Sequence, residues 1–553
     1  VSTSFGDIEG FEHLTEKGIP THVFLGVRYG QSPDIHNRFK KADLVEPWKP
    51  ILHHAKSFKA ACIPYHEKAL SEDNFSEDCL FLNIITPTIT GSDLPVWVFI
   101  HGGGYEVGSA RDYGYKKLAE TLAAEGIVVV TIQYRLGPFG FFSLGDSISP
   151  GNMGLWDQTL ALHFLHEVLP SFGGDVNRIT IAGHSAGAAS ASALQFSPHS
   201  NSMFQQAYLM SGSSLTEFAL SDSVVDESKK LAKVLGCLHE DNSDKTISCL
   251  QEKTPLEILE AVDKIGSTRR HNNILKFHPR LDGDFFPYSI ERLAKSATKQ
   301  RSVTGVTNHE SALFVLYEEL SWLSGLSIPA ADRDTFSREN LIDFIETVVV
   351  TDHEHHDAAP AFRRHLIDFY VEKDEKKGDS SFYLQRFIEL ASDLQFLIPL
   401  YHEVQIKLAN NWPTWMYVIE HEHVVEHRKD HPVQGAYHAD ELQYFADFSI
   451  ELVSDVDEID SENEAFGANF VKSMVAFVKN GDPSFSGFSW PRVSKKDPFI
   501  HAVIKANNSI RKEAFRADAA RLWLENIPKS VSGESLRKSR MPGAEAHIVH
   551  TEL

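Results

Sequence analysis

Gly183-His184-Ser185-Ala186-Gly187 constrains its surroundings more than any other part of this chain. A short β-branched run, Ile179-Thr180-Ile181, leads into it, and an Ala/Ser-rich stretch suited to a helix follows from Ala188. The pattern predicts a strand, a very tight turn and a helix. A turn that tight has no room for side chains at its flanks, so glycine is needed on both sides. The serine hydroxyl is then pushed out above the sheet edge, and the next backbone N–H points at the same spot. Gly-x-Ser-x-Gly also occurs by chance, so its meaning rests on what the remaining residues supply.

Those residues predict an α/β architecture. Short apolar runs at 24–30, 80–85, 95–100, 127–132, 179–181, 205–210, 303–307 and 414–419 read as strands. Helical spacing lies between several of them, as at 155–168. Strands alternating with helices imply a mostly parallel sheet covered on both faces, with loops of functional interest at the carboxyl ends of the strands. Residues 329–400 read as a helical insertion over that sheet. With no linker, repeat or low-complexity block before the last stretch, residues 1–527 are expected to form one domain and 528–553 a flexible polar tail.

A serine hydroxyl needs a base within hydrogen-bond reach, a carboxylate to orient that base, and donors for a developing oxyanion. The donors are legible. His101-Gly102-Gly103-Gly104-Tyr105 follows a buried strand, and its glycines let bare backbone approach a substrate oxygen. The N–H groups of Gly103, Gly104 and Ala186 are the expected oxyanion hole.

Taken together, the chain resembles the type-B carboxylesterases of the α/β-hydrolase fold, the family that includes cholinesterases. Besides the elbow and the glycine loop, the resemblance is carried by Glu77-Asp78-Cys79-Leu80-Phe81-Leu82-Asn83, Tyr134-Arg135-Leu136-Gly137, Phe172-Gly173-Gly174-Asp175 and Asp282-Gly283-Asp284. Residues 105–110 and 137–142 are most similar to the nematode gut esterase branch. The family order of serine, acid and histidine implies Ser185, then Glu310 in Thr307-Asn308-His309-Glu310, then His438 in Gly435-Ala436-Tyr437-His438-Ala439-Asp440-Glu441. Without the resemblance, nothing selects His438 among 28 histidines. Ser311 stands where the family usually has glycine. Ser211 resembles a serine that supports the triad in relatives, and Phe218 lies where many relatives place a tryptophan beside the acyl group, implying a moderately roomy apolar pocket.

The resemblance implies a serine esterase acting on small-molecule carboxylic esters through an acyl-enzyme, without a cofactor. The same triad would equally serve an acyltransferase that passes the acyl group to an alcohol. A catalytically dead adhesion protein of the neuroligin type is disfavoured by the complete Ser185, Glu310 and His438 set. Cholinesterases hold their quaternary ammonium with a tryptophan in the first cysteine loop. No tryptophan lies between Cys62 and Cys79, and His184 replaces their glutamate before the serine. Choline esters are therefore expected to be poor substrates. Neither His353-Glu354-His355-His356-Asp357 nor His421-Glu422-His423 completes the zinc motif His-Glu-x-x-His, so both read as solvated acidic surface rather than metal sites.

A formal charge of −23 argues against nucleic acid and anionic membrane partners. No run of about eighteen apolar residues is present, so no transmembrane segment is expected. The cysteines fall into two close pairs, Cys62/Cys79 and Cys237/Cys249. Local disulfides at both would suit a secreted or luminal chain. Three further signals agree: the absence of an initiator methionine, expected of a chain whose signal peptide has been removed; glycosylation sequons at Asn74 and Asn507; and an end, His550-Thr551-Glu552-Leu553, that resembles a retrieval signal of the endoplasmic reticulum. The expected location is the endoplasmic reticulum lumen or secretory pathway, with a retrieval receptor as partner, or outright secretion.

Overall fold

The computed structural model describes residues 1–33, 37–64, 74–89, 91, 93–266, 275–321, 325–421, 428–448 and 461–530. The expected tail lies outside them from residue 531, including His550, Thr551, Glu552 and Leu553.

An eleven-stranded sheet runs through the molecule. In chain order its strands are β1 (Phe11–Leu14), β2 (Pro20–Arg28), β3 (Phe81–Thr86), β4 (Leu94–Ile100), β5 (Val128–Ile132), β6 (Gly174–His184), β7 (Gln206–Met210), β8 (Arg301–Thr307), β9 (Thr414–Ile419), β10 (His501–Ile504) and β11 (Ser509–Arg511). Their spatial order is β11-β10-β9-β8-β7-β6-β4-β5-β3-β2-β1. Pairing is parallel from β10 across to β5 and antiparallel at both margins. This is the mostly parallel α/β sheet that the strand pattern predicted, and it is the architecture that the resemblance to the α/β-hydrolases implies.

The central strands read as unbroken apolar runs because both faces are covered. In β4, Val96, Val98 and Ile100 join the core on one side of the sheet, while Trp97 and Phe99 join the core on the other. That is the two-residue strand period expressed in packing. Each fully buried side chain of this size contributes about 1.5–3 kcal/mol.

Helix α1 (Met153–Val168) and α2 (Ala186–Phe196) pack on the first face. All eleven residues of α2 are buried, and small side chains let it approach the sheet closely. The helical insertion includes α3 (Ser380–Ser392) and α4 (Ile398–Ala409), joined through a π-helical turn over Asp393–Leu397. On the opposite face, α5 (Ser461–Asn480) turns Phe466, Phe470, Met474 and Phe477 to the sheet, the spacing of one helical stripe. The margins β1, β10 and β11 were not visible as sequence runs: they are short, and β1 alternates half-exposed with exposed residues.

β6 and β4 are neighbours, yet the chain leaves them on opposite sides of a change in strand order. Their carboxyl ends therefore open on the crevice where such sheets place ligands. Both sequence-predicted loops, the elbow after β6 and the glycine loop after β4, emerge there.

Candidate active site

Ser185 follows β6 with a positive φ of 57 and ψ −124, a backbone conformation costly for any side chain, before α2 begins at Ala186. The turn is held by the Ser185 N–H donating to Met210 O at 2.8 Å. Its flanking glycines are sterically required. A Cβ on Gly183 would stand 2.6 Å from Ala188 N, and one on Gly187 2.7 Å from His101 O. Ala186 N–H belongs to the first turn of α2, whose donors have no acceptor within the helix.

The glycine loop lies against this turn. A Cβ on Gly102 would be 2.7 Å from His184 O and 3.1 Å from Ser185 Cβ. Gly103 and Gly104 have φ of 106 and 62, and the Gly103 carbonyl accepts from Val107 N–H at 3.0 Å. The loop is fixed from behind: Tyr134 donates its hydroxyl to His101 O at 2.9 Å, and its ring stacks on His101 at 4.5 Å. Burial lowers the His101 imidazole to about 4, so it stays neutral.

Glu310 follows β8, and His438 comes from a loop beyond β9. Glu310 Oε2 accepts from His438 Nδ1 at 2.6 Å, and Glu310 Oε1 accepts from Thr307 N–H at 2.8 Å. The two loops are stitched together. His309 N–H donates to Ala436 O at 3.1 Å and Ala436 N–H to Asn308 Oδ1 at 2.8 Å. Within the histidine loop, buried Arg428 pairs bidentately with Asp440 at 2.7 and 2.9 Å, and Asp440 also accepts from Tyr437 N–H at 2.7 Å. Ser311 needs no glycine conformation here: its φ is −78, and its N–H donates to Ser392 Oγ at 3.0 Å.

Ser185 and His438 line one cavity of about 410 Å3, with Gly103, Gly104 and Phe218 also on its wall. Its aromatic side includes two residues that sequence reasoning missed. Phe314 and Phe396 pack on the His438 ring at 5.2 and 4.9 Å. Phe396 projects from the π-helical turn between α3 and α4, so no regular helical spacing marked it. Asp112 lies on another part of the wall, where burial raises its carboxyl to about 6. Ser211 is buried at the end of β7 with φ 54, and among the described residues its Oγ has no hydrogen-bond partner.

The remaining expectations divide. The cysteines form two disulfides, Cys62–Cys79 and Cys237–Cys249, with Cα separations of 4.9 and 5.4 Å. Asn74 and Asn507 are exposed. No helix among the described residues is long and apolar enough to cross a membrane. The histidine-rich segments divide: His356 and Asp357 are exposed as expected, whereas His355 and His421 are buried. His355 is 1% exposed and packs on Phe362, and His421 Nε2 donates to Asn463 Oδ1 at 2.7 Å while its ring stacks on Phe466. Both are core histidines with aromatic neighbours, which sequence polarity alone concealed. The side chains of His353 and Glu354, and the residues Glu422 and His423, lie outside the described residues.

The model of the Carboxylesterase family matches residues 1–523. Gut esterase 1 of Caenorhabditis briggsae is 34% identical, over 90% of this chain and 87% of that protein. Gut esterase 1 of Caenorhabditis elegans is 33% identical over 95% and 92%, and Acylcarnitine hydrolase of Mus musculus 30% over 96% and 91%.

Proposed function

The chain belongs to the carboxylesterase family and is a carboxylic ester hydrolase, and from that premise we propose that it acts on uncharged esters through Ser185, His438 and Glu310 as nucleophile, base and orienting acid. The observation that carries the reading is the Glu310–His438 contact of 2.6 Å, made by a histidine that shares the wall of one cavity with Ser185.

In this mechanism His438 takes the Ser185 proton as Oγ attacks the ester carbonyl. Glu310 fixes the imidazole tautomer and stabilises the imidazolium. The N–H groups of Gly103, Gly104 and Ala186 receive the oxyanion, each worth about 3–4 kcal/mol in a comparable site. The alcohol leaves with the proton from His438, and water then attacks the acyl-enzyme with His438 again as base. The base must be neutral to take the proton from Ser185. Phe218, Phe314 and Phe396 favour an apolar acyl group.

The test is p-nitrophenyl butyrate turnover by the intact chain and by Ser185→Ala, with and without a small-alcohol acceptor. Loss of turnover in the variant supports the triad, and retained turnover refutes it. Transester product formed only with the acceptor would favour the acyltransferase reading. A folded chain with no turnover would favour the non-catalytic one.

We propose the secretory pathway as its location. Two disulfides and the exposed Asn74 and Asn507 sequons support this. Deletion of Thr551, Glu552 and Leu553 is expected to increase secretion from cells, and unchanged secretion would exclude retrieval through the terminal tetrapeptide.

A further inference from the structure

Beneath the elbow lies a second buried ionisable pair that the mechanism above leaves unused. His184, the residue before the nucleophile, is buried, and its ring centroid is 4.4 Å from that of His438. Its Nε2 faces Glu441 Oε1 at 3.9 Å. Glu441 is itself fully buried. Among the described residues, neither His184 Nε2 nor either carboxyl oxygen of Glu441 has a hydrogen-bond partner. Orphaned buried polar atoms are costly, about 1–3 kcal/mol each, so several facing one another mark an interaction rather than an accident of packing.

The charges around the pair decide its protonation. Glu441 faces the Glu310 and Asp440 carboxyls and the hydroxyl-bearing rings of Tyr113, Tyr208 and Tyr417. The one guanidinium of this loop, Arg428, is already engaged by Asp440. A negative Glu441 would thus add to Glu310, desolvated and without a cation of its own. A positive His184 would sit against His438, which must accept a proton in every turnover. Both ionised forms are opposed by like charge at close range in a buried site. Burial acts in the same direction on each, raising Glu441 well above the ordinary carboxyl range and holding His184 well below the ordinary imidazole range.

We propose that Glu441 is a neutral carboxylic acid that donates its proton toward a neutral His184 Nε2, and that this pair is a positioning device holding a second, uncharged imidazole against His438. A neutral carboxyl has one O–H to place, and His184 Nε2 is the facing acceptor. Closing 3.9 Å to a hydrogen bond of about 2.8 Å requires a side-chain movement of about 1 Å. His184 then carries its own proton on Nδ1. The ring that supports His438 contributes no charge to oppose imidazolium formation. The inference rests on His438 being the base.

The first test does not depend on turnover. At pH 7.5, the infrared difference spectrum between the intact chain and Glu441→Gln should contain the carbonyl stretch of a neutral carboxylic acid. Carboxylate bands in its place would overturn the proposal. The second test is kinetic. Glu441→Gln retains a neutral donor and should keep kcat/KM for p-nitrophenyl butyrate within about threefold, with the acid limb of the pH profile unmoved. Glu441→Leu removes the donor and should lower kcat by about tenfold with KM little changed. Equal damage from both variants, a shifted acid limb in Glu441→Gln, or full activity in Glu441→Leu would each refute it. If Glu441→Leu does not fold, the infrared band and the Glu441→Gln profile decide. Retained turnover in Ser185→Ala would overturn the triad while leaving the infrared result to stand on its own.

Discussion

Replacing Gly212 by alanine tests whether the aim of Ser185 is set by packing beneath it. Gly212 does not have the left-handed φ that marks many glycines here, so alanine meets no backbone penalty and the whole effect is steric. The added Cβ would stand 3.0 Å from the Ser185 carbonyl carbon, nearer still to its oxygen, and 3.1 Å from Ala188 Cβ. Ordinary contact begins at about 3.4 Å, and the carbonyl oxygen would be met far inside it, so more than about 1 Å must open on the side of the nucleophile. The elbow cannot absorb this freely, because Ser185 N–H is bonded to Met210 O at 2.8 Å and Ser185 O accepts from Ala189 N–H at 2.9 Å. Misplacement by about 1 Å costs about a hundredfold in rate, or about 2.7 kcal/mol. Overpacking should also lower stability by about 1–3 kcal/mol. The assay is p-nitrophenyl butyrate kinetics beside a thermal melt, with kcat falling and KM nearly constant. Gly236→Ala is the control: its φ is +69 with nothing within 4 Å of an added Cβ, so it should lose about 1–2 kcal/mol of stability and no kcat. A folded Gly212→Ala protein within about threefold of the intact kcat would refute the steric account.

Glu310 accepts from both Thr307 N–H and His438 Nδ1, whereas glutamine offers a single acceptor oxygen. Glu310→Gln should therefore lower kcat by about 10³–10⁴ with the fold intact, and a loss below about tenfold would argue against the orienting role. Burial pushes Glu106 up from 4.5 to about 7 although Lys276 and Phe277 N–H groups donate to it at 3.0 and 3.4 Å. The folded state then holds the proton more tightly than the unfolded chain, so this group's stability is fully present below 4.5 and lost as pH rises to about 7. Glu106→Gln should gain about 2–3 kcal/mol relative to the intact protein between pH 4 and pH 8 in denaturant melts, and a pH-independent difference would contradict this. Choline esters should be turned over far more slowly than aryl esters of the same acid, and comparable kcat/KM would overturn the reading of His184 and of the loop between Cys62 and Cys79.

The sequence was most readable where one residue type answers one physical demand. Strands β4, β5, β6 and β9 announce themselves because sheets covered on both faces need uninterrupted apolar runs. Gly183, Gly187, Gly102 and Gly103 announce themselves because no side chain fits where they stand. Edge strands such as β1 meet neither demand, and their half-exposed residues look like any loop. The site divides in the same way. Ser185 and the oxyanion loop are encoded locally, but His438 is one histidine among many until tertiary structure brings it to Glu310. His184 and Glu441 show the limit most clearly. Each looks unremarkable in its own segment, one as the variable residue of a pentapeptide and the other as an acid beside an acid. Their meaning arises only when β6 and the histidine loop bring Nε2 to 3.9 Å from a carboxyl oxygen in a place without water-facing surface. A buried ionisable group has no signature in sequence, since its cost depends on neighbours from distant segments. Local code therefore identifies the parts of this site that touch backbone, and packing determines the parts that hold charge and protons.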